Sequence, residues 1–158
     1  MNWHEPNDVE RAQILNKSKT VAIVGASDNT ARASFFVITY LLASSNFDLY
    51  FVNPSVESIL GKKTFKTLKD IPVPIDIVDV FRKPDAIEEV MDEAIDIKAK
   101  TFWMQLGITN QKAAEKGAAA GLNVIQNKCL KIEHARFNGG LHLAGFDTGV
   151  INSKRNSD

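Results

Sequence analysis

The stretch Thr20-Val21-Ala22-Ile23-Val24-Gly25-Ala26-Ser27 runs four apolar residues straight into a glycine and two small residues. A second apolar segment, Ser34-Phe35-Phe36-Val37-Ile38-Thr39-Tyr40-Leu41-Leu42-Ala43, begins within ten residues of that glycine. A strand feeding a tight glycine turn and then a helix is the unit by which α/β proteins hold a phosphate. The β-branched and aromatic residues of the second segment would also suit a strand. Its length and its place after the turn favour a buried helix.

Downstream of this unit the same alternation repeats. Asp48-Leu49-Tyr50-Phe51-Val52 reads as a strand stopped by Asn53-Pro54. Residues 55–75 carry no clear period: Gly61 interrupts them, Leu68-Lys69-Asp70 suggests one helical turn, and Pro72 and Pro74 flank an extended piece. Ile75 to Phe81 reads as a third strand. Pro84 then opens a helix running from Asp85 to about Asp96, because a first-turn N–H has no helical partner to lose. Thr101 to Gln105 is a fourth strand. Asn110 caps a helix over Gln111–Ala120 that Gly121 ends. Leu122 to Ile125 is a fifth strand, followed by a last helix over Leu130–Arg136. Before the first strand, Asp8 to Lys17 reads as a short amphipathic helix with Val9, Ala12, Ile14 and Leu15 on one side.

Strands that are apolar throughout and alternate with helices belong to a parallel sheet covered on both faces. The expected fold is α/β: a doubly wound, Rossmann-like, mostly parallel five-stranded sheet with helices on both faces. The expected division is an N-terminal helical extension over 1–19, the Rossmann-like domain over 20–137 and a tail over 138–158, polar and mobile from Asn152. Ligands of such sheets lie beyond the carboxyl ends of the strands. Here those ends are Gly25-Ala26-Ser27, Asn53-Pro54, Phe81-Arg82-Lys83 and Gln105-Leu106-Gly107.

Composition narrows the function. The 158 residues suffice for one core without disulfides. Lys+Arg and Asp+Glu balance at 19 each, which argues against a binder of duplex nucleic acid. A single anionic small molecule needs only a local positive patch. The single cysteine, Cys129, fits a reducing compartment. The longest apolar run, about Phe35 to Ala43, is far short of a membrane span. The N-terminus lacks the apolar stretch of a signal peptide. The expectation is a cytoplasmic protein, with homo-oligomers or protein partners left open.

The turn does not read G-x-G-x-x-G, but Ala26 and Ser27 still let backbone approach a phosphate. Helix N–H groups point at the same spot. Ser27 and Ser34 supply hydroxyls, and Arg32 supplies a cation for a diphosphate. A bound NAD needs a carboxylate at the end of the second strand. That place holds Asn53-Pro54, with no acid before Glu57.

Six stretches together resemble the small CoA-binding proteins, whose fold is similar to the N-terminal domain of the succinyl-CoA synthetase alpha subunit. They are Val24-Gly25-Ala26-Ser27 with Arg32 and Ser34; Val52-Asn53-Pro54; Gly61-Lys62; Val78 to Pro84; Trp103-Met104-Gln105 with Gly107; and Asn127-Lys128-Cys129 with Glu133-His134. The resemblance covers about residues 18–151. It implies coenzyme A or an acyl-CoA as ligand. Gly25, Ala26 and Ser27 would lie against its phosphates, with Arg32 and Ser34 nearby. Asn53 and Pro54 would border the adenosine, Phe81, Arg82 and Lys83 would line the cleft, and Gln105 and Gly107 would face the pantetheine arm. Relatives often carry a basic residue after the Asn-Pro pair. Here Ser55 stands there, so Lys62, Lys83 or Arg82 would have to hold the 3′-phosphate.

The residues give no expectation of catalysis. The related synthetase phosphorylates a histidine in a separate domain and uses an ATP-grasp partner, neither of which fits in this chain. His4 precedes the fold, and His134 and His142 follow the fifth strand, away from the other strand ends. Cys129, flanked by Lys128 and Lys131, is expected to be a packing residue, or else a thiol meeting the CoA thiol in a mixed disulfide. Asp76 and Asp79, three apart on a strand, face opposite sides and hold no metal. Phe102, Trp103 and Met104 are expected in the core, and Lys98, Lys100, Lys112 and Lys116 on a solvated face. The readings in contention are a CoA-binding module, an NAD(P)-dependent reductase or epimerase, and an interaction protein with a vestigial nucleotide site. On the first of them, Gly25→Val is expected to block the phosphates and leave the fold mostly intact.

Overall fold

The apolar runs lie side by side in one sheet. The structure is a computed structural model in which residues 3–138 are described; the expected polar tail and His142 lie outside the described residues. In chain order the elements are α1 (Asp8–Lys17), β1 (Thr20–Val24), α2 (Ala33–Ser44), β2 (Asp48–Val52), β3 (Ser58–Ile59), β4 (Lys62–Phe65), β5 (Ile77–Val80), α3 (Ile87–Asp96), β6 (Thr101–Met104), α4 (Gln111–Ala119), β7 (Asn123–Ile125) and α5 (Leu130–Asn138). The spatial order is β3-β4-β2-β1-β5-β6-β7. All neighbours run parallel except β3 against β4. The chain leaves β1 towards β2 on one side and β5 on the other, so the order of winding reverses between β1 and β5.

The sheet therefore has seven strands where five were expected. The two extra ones lie in the stretch that carried no clear period. Each is short, and β4 opens with two lysines, so neither shows an apolar run. Charge and brevity are how an edge strand avoids pairing with other chains. Leu60 (φ 49°) and Gly61 (φ 80°) both take left-handed conformations between them, as a two-residue hairpin turn requires. Leucine is an unusual first residue for such a turn, which hides it in the sequence.

The segment with ambiguous propensity is a helix. Ser34, Val37, Ile38 and Leu41 of α2 are buried, which is the i, i+3, i+4, i+7 stripe of a helix on a sheet. Helices α1, α2 and α5 cover one face, packing Leu15, Ile38, Leu41, Leu130 and Phe137 on Ile23, Phe51, Ile77 and Trp103. Helices α3 and α4 cover the other, packing Ile87, Met91, Ala113 and Ala114 on Val78, Phe102, Met104 and Val124. Phe102, Trp103 and Met104 are fully buried, as expected.

Helix α1 packs Ala12, Ile14 and Leu15 on the core as expected and departs from expectation at Val9 and Arg11. Val9 is 51% exposed, and the buried positions are Arg11 and Leu15. The reason is an ion pair with α5: Arg11 Nε donates to Glu133 Oε1 at 2.8 Å, with both side chains only 7% exposed. Arg11 also donates to the Pro6 carbonyl at 2.5 Å and pairs with Asp8. Ahead of α1, Trp3 Nε1 donates to the carbonyl of Val124 at 2.7 Å. The N-terminal segment thus covers the outer strand β7, whose carbonyls would otherwise face outward.

Candidate functional site

The carboxyl ends of β1, β2 and β5 meet where the winding reverses. Gly25 takes φ +85°; its N–H donates to the Val52 carbonyl at 3.1 Å, and Phe81 N–H donates to the Val24 carbonyl at 2.8 Å. A Cβ on Gly25 would run into the Phe81 carbonyl, so only glycine lets the three strand ends close up here. From this turn the chain enters an ordered loop. Ser27 Oγ accepts from Asn29 N–H at 3.0 Å, Asn29 Oδ1 accepts from Ala31 N–H at 2.9 Å, and Arg32 N–H donates to the Asn29 carbonyl at 3.0 Å. Local side-chain bonds of this kind fix a loop without help from neighbours.

The loop delivers the start of α2, and the N-termini of the helices differ there. Asn7 caps α1 and Asn110 caps α4, each accepting from an N–H in the first turn. The buried Gln105 places Oε1 3.0 Å from Leu130 N–H at the start of α5. Helix α3 carries Glu88 and Glu89 in its first turn. Helix α2 has no side-chain cap and no acid in its first turn, and the cap position is Arg32, an exposed cation. Phe35 N–H is taken by the Arg32 carbonyl at 3.1 Å; the N–H groups ahead of it and the positive end of the helix dipole meet no side-chain acceptor among the described residues, and the residue at the cap is an arginine.

Asn53 holds this loop to β2. Its Nδ2 donates to the Ala26 carbonyl at 2.7 Å, and its Oδ1 accepts from Ser55 N–H at 2.8 Å. Asn53 thus borders the mouth with its amide already engaged, and the exposed Pro54 follows it. On the other side of β1, Phe81 is half-buried and Arg82 and Lys83 are exposed. Among the described residues neither Arg82, Lys83 nor Arg32 takes part in an ion pair.

The structure thus brings Gly25, Ala26, Ser27, Arg32, Asn53, Pro54, Phe81, Arg82 and Lys83 to one edge of the sheet. Ser34 sits in the first turn of α2 but is only 3% exposed. Gln105, expected to face a ligand, is 4% exposed and caps α5. Gly107 N–H donates to Asn127 Oδ1 at 2.6 Å, which ties the loop after β6 to the loop after β7. Asn127 was legible only as part of a motif; its left-handed φ of 58° is a conformation asparagine tolerates.

Other candidates fall elsewhere. His134 is buried; its Nδ1 lies 2.8 Å from the Tyr40 hydroxyl, and its ring meets Phe47 edge-on. Burial holds its pKa below the usual value. Cys129 is a half-buried free thiol in the loop before α5, packed on the core, and Lys128 ahead of it donates its N–H to the Met104 carbonyl at 3.3 Å. Asp76 lies at the opposite end of the sheet, where Lys19 N–H reaches it at 2.7 Å and Lys100 at 3.5 Å. Asp79 is fully buried between Ile23 and Trp103 in the register, and neither of its oxygens has a hydrogen-bond partner. Among the described residues no cluster of metal-ligating side chains forms, and no helix is long and apolar enough to cross a membrane.

Comparison with known proteins agrees with the geometry. The family described as CoA binding domain matches residues 19–135. An uncharacterised protein of Bacillus subtilis (strain 168), YneT, is 36% identical over 130 residues, covering 82% of this chain and 96% of its own. The solved structure of a hypothetical protein from Pyrococcus horikoshii OT3 superposes with a TM-score of 0.80 at 38% identity, covering 88% of this chain and all of that one. A 4-hydroxybutyrate–CoA ligase (ADP-forming) of Nitrosopumilus maritimus is 24% identical over 82 residues, which are 52% of this chain but only 12% of the ligase. With a family match across the whole sheet and relatives covered nearly end to end, the chain belongs to the CoA binding domain family.

Proposed function

We propose that this protein binds coenzyme A or an acyl-CoA across the carboxyl ends of β1, β2 and β5, as a binding module without turnover of its own. The observation that carries the reading is the uncapped N-terminus of α2 behind the Gly25 turn, with Arg32 at its cap position. Open N–H groups and a helix dipole suit a diphosphate, and Arg32 adds a charge-assisted contact. The family match and the resemblance to part of a CoA ligase support the choice of nucleotide. Asn53, already bonded to Ala26 and Ser55, leaves no carboxylate for the ribose hydroxyls of NAD.

Titration calorimetry with CoA, dephospho-CoA, NAD and ATP tests this directly. CoA is expected to bind most tightly. Preference for NAD would replace the reading with an oxidoreductase, and indifference to all four would leave a protein whose nucleotide site is vestigial. The contact itself is tested by Arg32→Ala. Loss of a charge-assisted hydrogen bond costs about 1.5–3 kcal/mol, so CoA affinity is expected to fall about 10- to 100-fold and to depend less on salt. Wild-type salt dependence in that variant would move the diphosphate away from α2.

A further inference from the structure

Ser55 leaves the adenosine end of the proposed site without an adjacent base, and the register of β4 supplies one that the sequence order conceals. Phe51 pairs with Thr64 and Val52 with Phe65. The ladder continues one step further, because Asn53 N–H donates to the Phe65 carbonyl at 2.9 Å. The residue beside Asn53 is therefore Lys66.

We infer that Lys66 is the group that recognises a phosphate on the ribose of the bound nucleotide, and so sets preference for a 3′-phosphorylated ligand. The inference rests on the proposed CoA site. Adjacent strands lie about 4.8 Å apart, so Lys66 stands roughly 10 Å from the Gly25 turn, two strands across. A lysine side chain on its flexible four-carbon stem is long enough to shorten that gap to the separation between a diphosphate seated at α2 and a second phosphate on the same nucleotide's ribose. Lys66 is exposed, and its backbone is fixed on both sides: Phe65 closes the β-ladder, and Thr67 starts a 3₁₀ turn over Leu68–Asp70. Among the described residues Lys66 takes part in no ion pair. Asp70 Oδ2 accepts from the Thr67 hydroxyl and N–H at 3.1 and 3.2 Å. Glu57 lies opposite Thr64, two residues short of the strand end, where its carbonyl accepts the Thr64 N–H.

The three bases suggested by sequence are placed less well. Lys62 begins β4 and sits four residues, about 13 Å, below Lys66 along the strand. Arg82 and Lys83 follow β5, on the far side of β1 from Asn53.

Calorimetry with CoA and dephospho-CoA, on wild type and on Lys66→Ala, Lys66→Arg and Lys62→Ala, decides the matter. Both positions are exposed, so the three variants are expected to melt like wild type. Wild type is expected to prefer CoA. Lys66→Ala is expected to lose about 10- to 100-fold in CoA affinity with dephospho-CoA unchanged. Lys66→Arg is expected to restore the preference, and Lys62→Ala to keep it. A wild-type preference that survives in Lys66→Ala overturns the assignment. Equal binding of the two ligands by wild type also overturns it, while the CoA reading stands. No binding of either ligand overturns the CoA reading itself, and this assignment with it.

Discussion

Gly25 is where sequence reasoning about the site needs its sharpest correction. Placing valine there was expected to block phosphates in an otherwise intact fold. In the structure any Cβ meets the Phe81 carbonyl, and the backbone is left-handed. A β-carbon in that conformation costs about 1–2 kcal/mol before any clash is counted. Even Gly25→Ala is therefore expected to lower stability by at least ~2 kcal/mol, read as a fall in denaturant midpoint. An alanine variant with wild-type stability would show that the two strand ends are not held together here. Asp79 presents the opposite case, a residue whose removal is expected to stabilise. It is fully buried without a partner, and burial raises its pKa well above the ordinary 3.8. A carboxyl raised in the folded state contributes stability that is complete below pH ~3.8 and is lost as pH rises towards the folded value. That loss accrues at up to about 1.4 kcal/mol per pH unit. Asp79→Asn keeps the shape without the proton. The variant is expected to be more stable than wild type at pH 7 and to lose the excess below pH 4. Asp76, whose pKa is lowered through the Lys19 and Thr20 amides and Lys100 although burial opposes this, works in the other direction, so the comparison must be wild type against variant. Parallel pH profiles would refute the account.

Among the elements, helix termini and helix contacts decide what is open and what is closed. Among the described residues four helices have a side-chain acceptor or acids at their N-termini, and α2 has neither and an arginine at its cap position. This difference is what makes one strand–turn–helix unit a candidate site among several. The α1–α5 contact is closed by the Arg11–Glu133 pair, which Asp8 and Arg136 extend to the surface. Removing one member of a buried pair strands the other and typically costs ~3–5 kcal/mol. Glu133→Leu is expected at the lower end of that range, because Pro6 and Asp8 still hold Arg11. The double variant Arg11→Met with Glu133→Leu is expected to be more stable than Glu133→Leu alone. A double variant with strictly additive losses would mean that the two side chains do not depend on each other.

At the scale of the molecule, a protein of zero formal charge places Arg32, Arg82 and Lys83, none of them in an ion pair among the described residues, at one end of a sheet whose opposite end holds Asp76 paired with Lys100. Ligand binding at the open end stabilises the folded state by mass action: about 2.7 kcal/mol at a free concentration one hundred times Kd. Thermal unfolding with increasing CoA is expected to shift upward accordingly, and dephospho-CoA to shift it less at the same concentration. An unmoved transition would remove the site. The sequence by itself determined the α/β class, the five strands β1, β2, β5, β6 and β7, the glycine turn and the helix that follows it. These are written in local patterns: unbroken apolar runs where both sheet faces are covered, and small residues where backbone must turn sharply. The tertiary structure alone decided the rest. The edge strand β3 has two residues, and β4 beside it opens with Lys62 and Lys63, so no periodicity marks either. Arg11 is buried because Glu133, 122 residues away, meets it. Lys66 stands beside Asn53 because parallel pairing aligns residues by register, and no distance along the chain records which residues that pairing brings together.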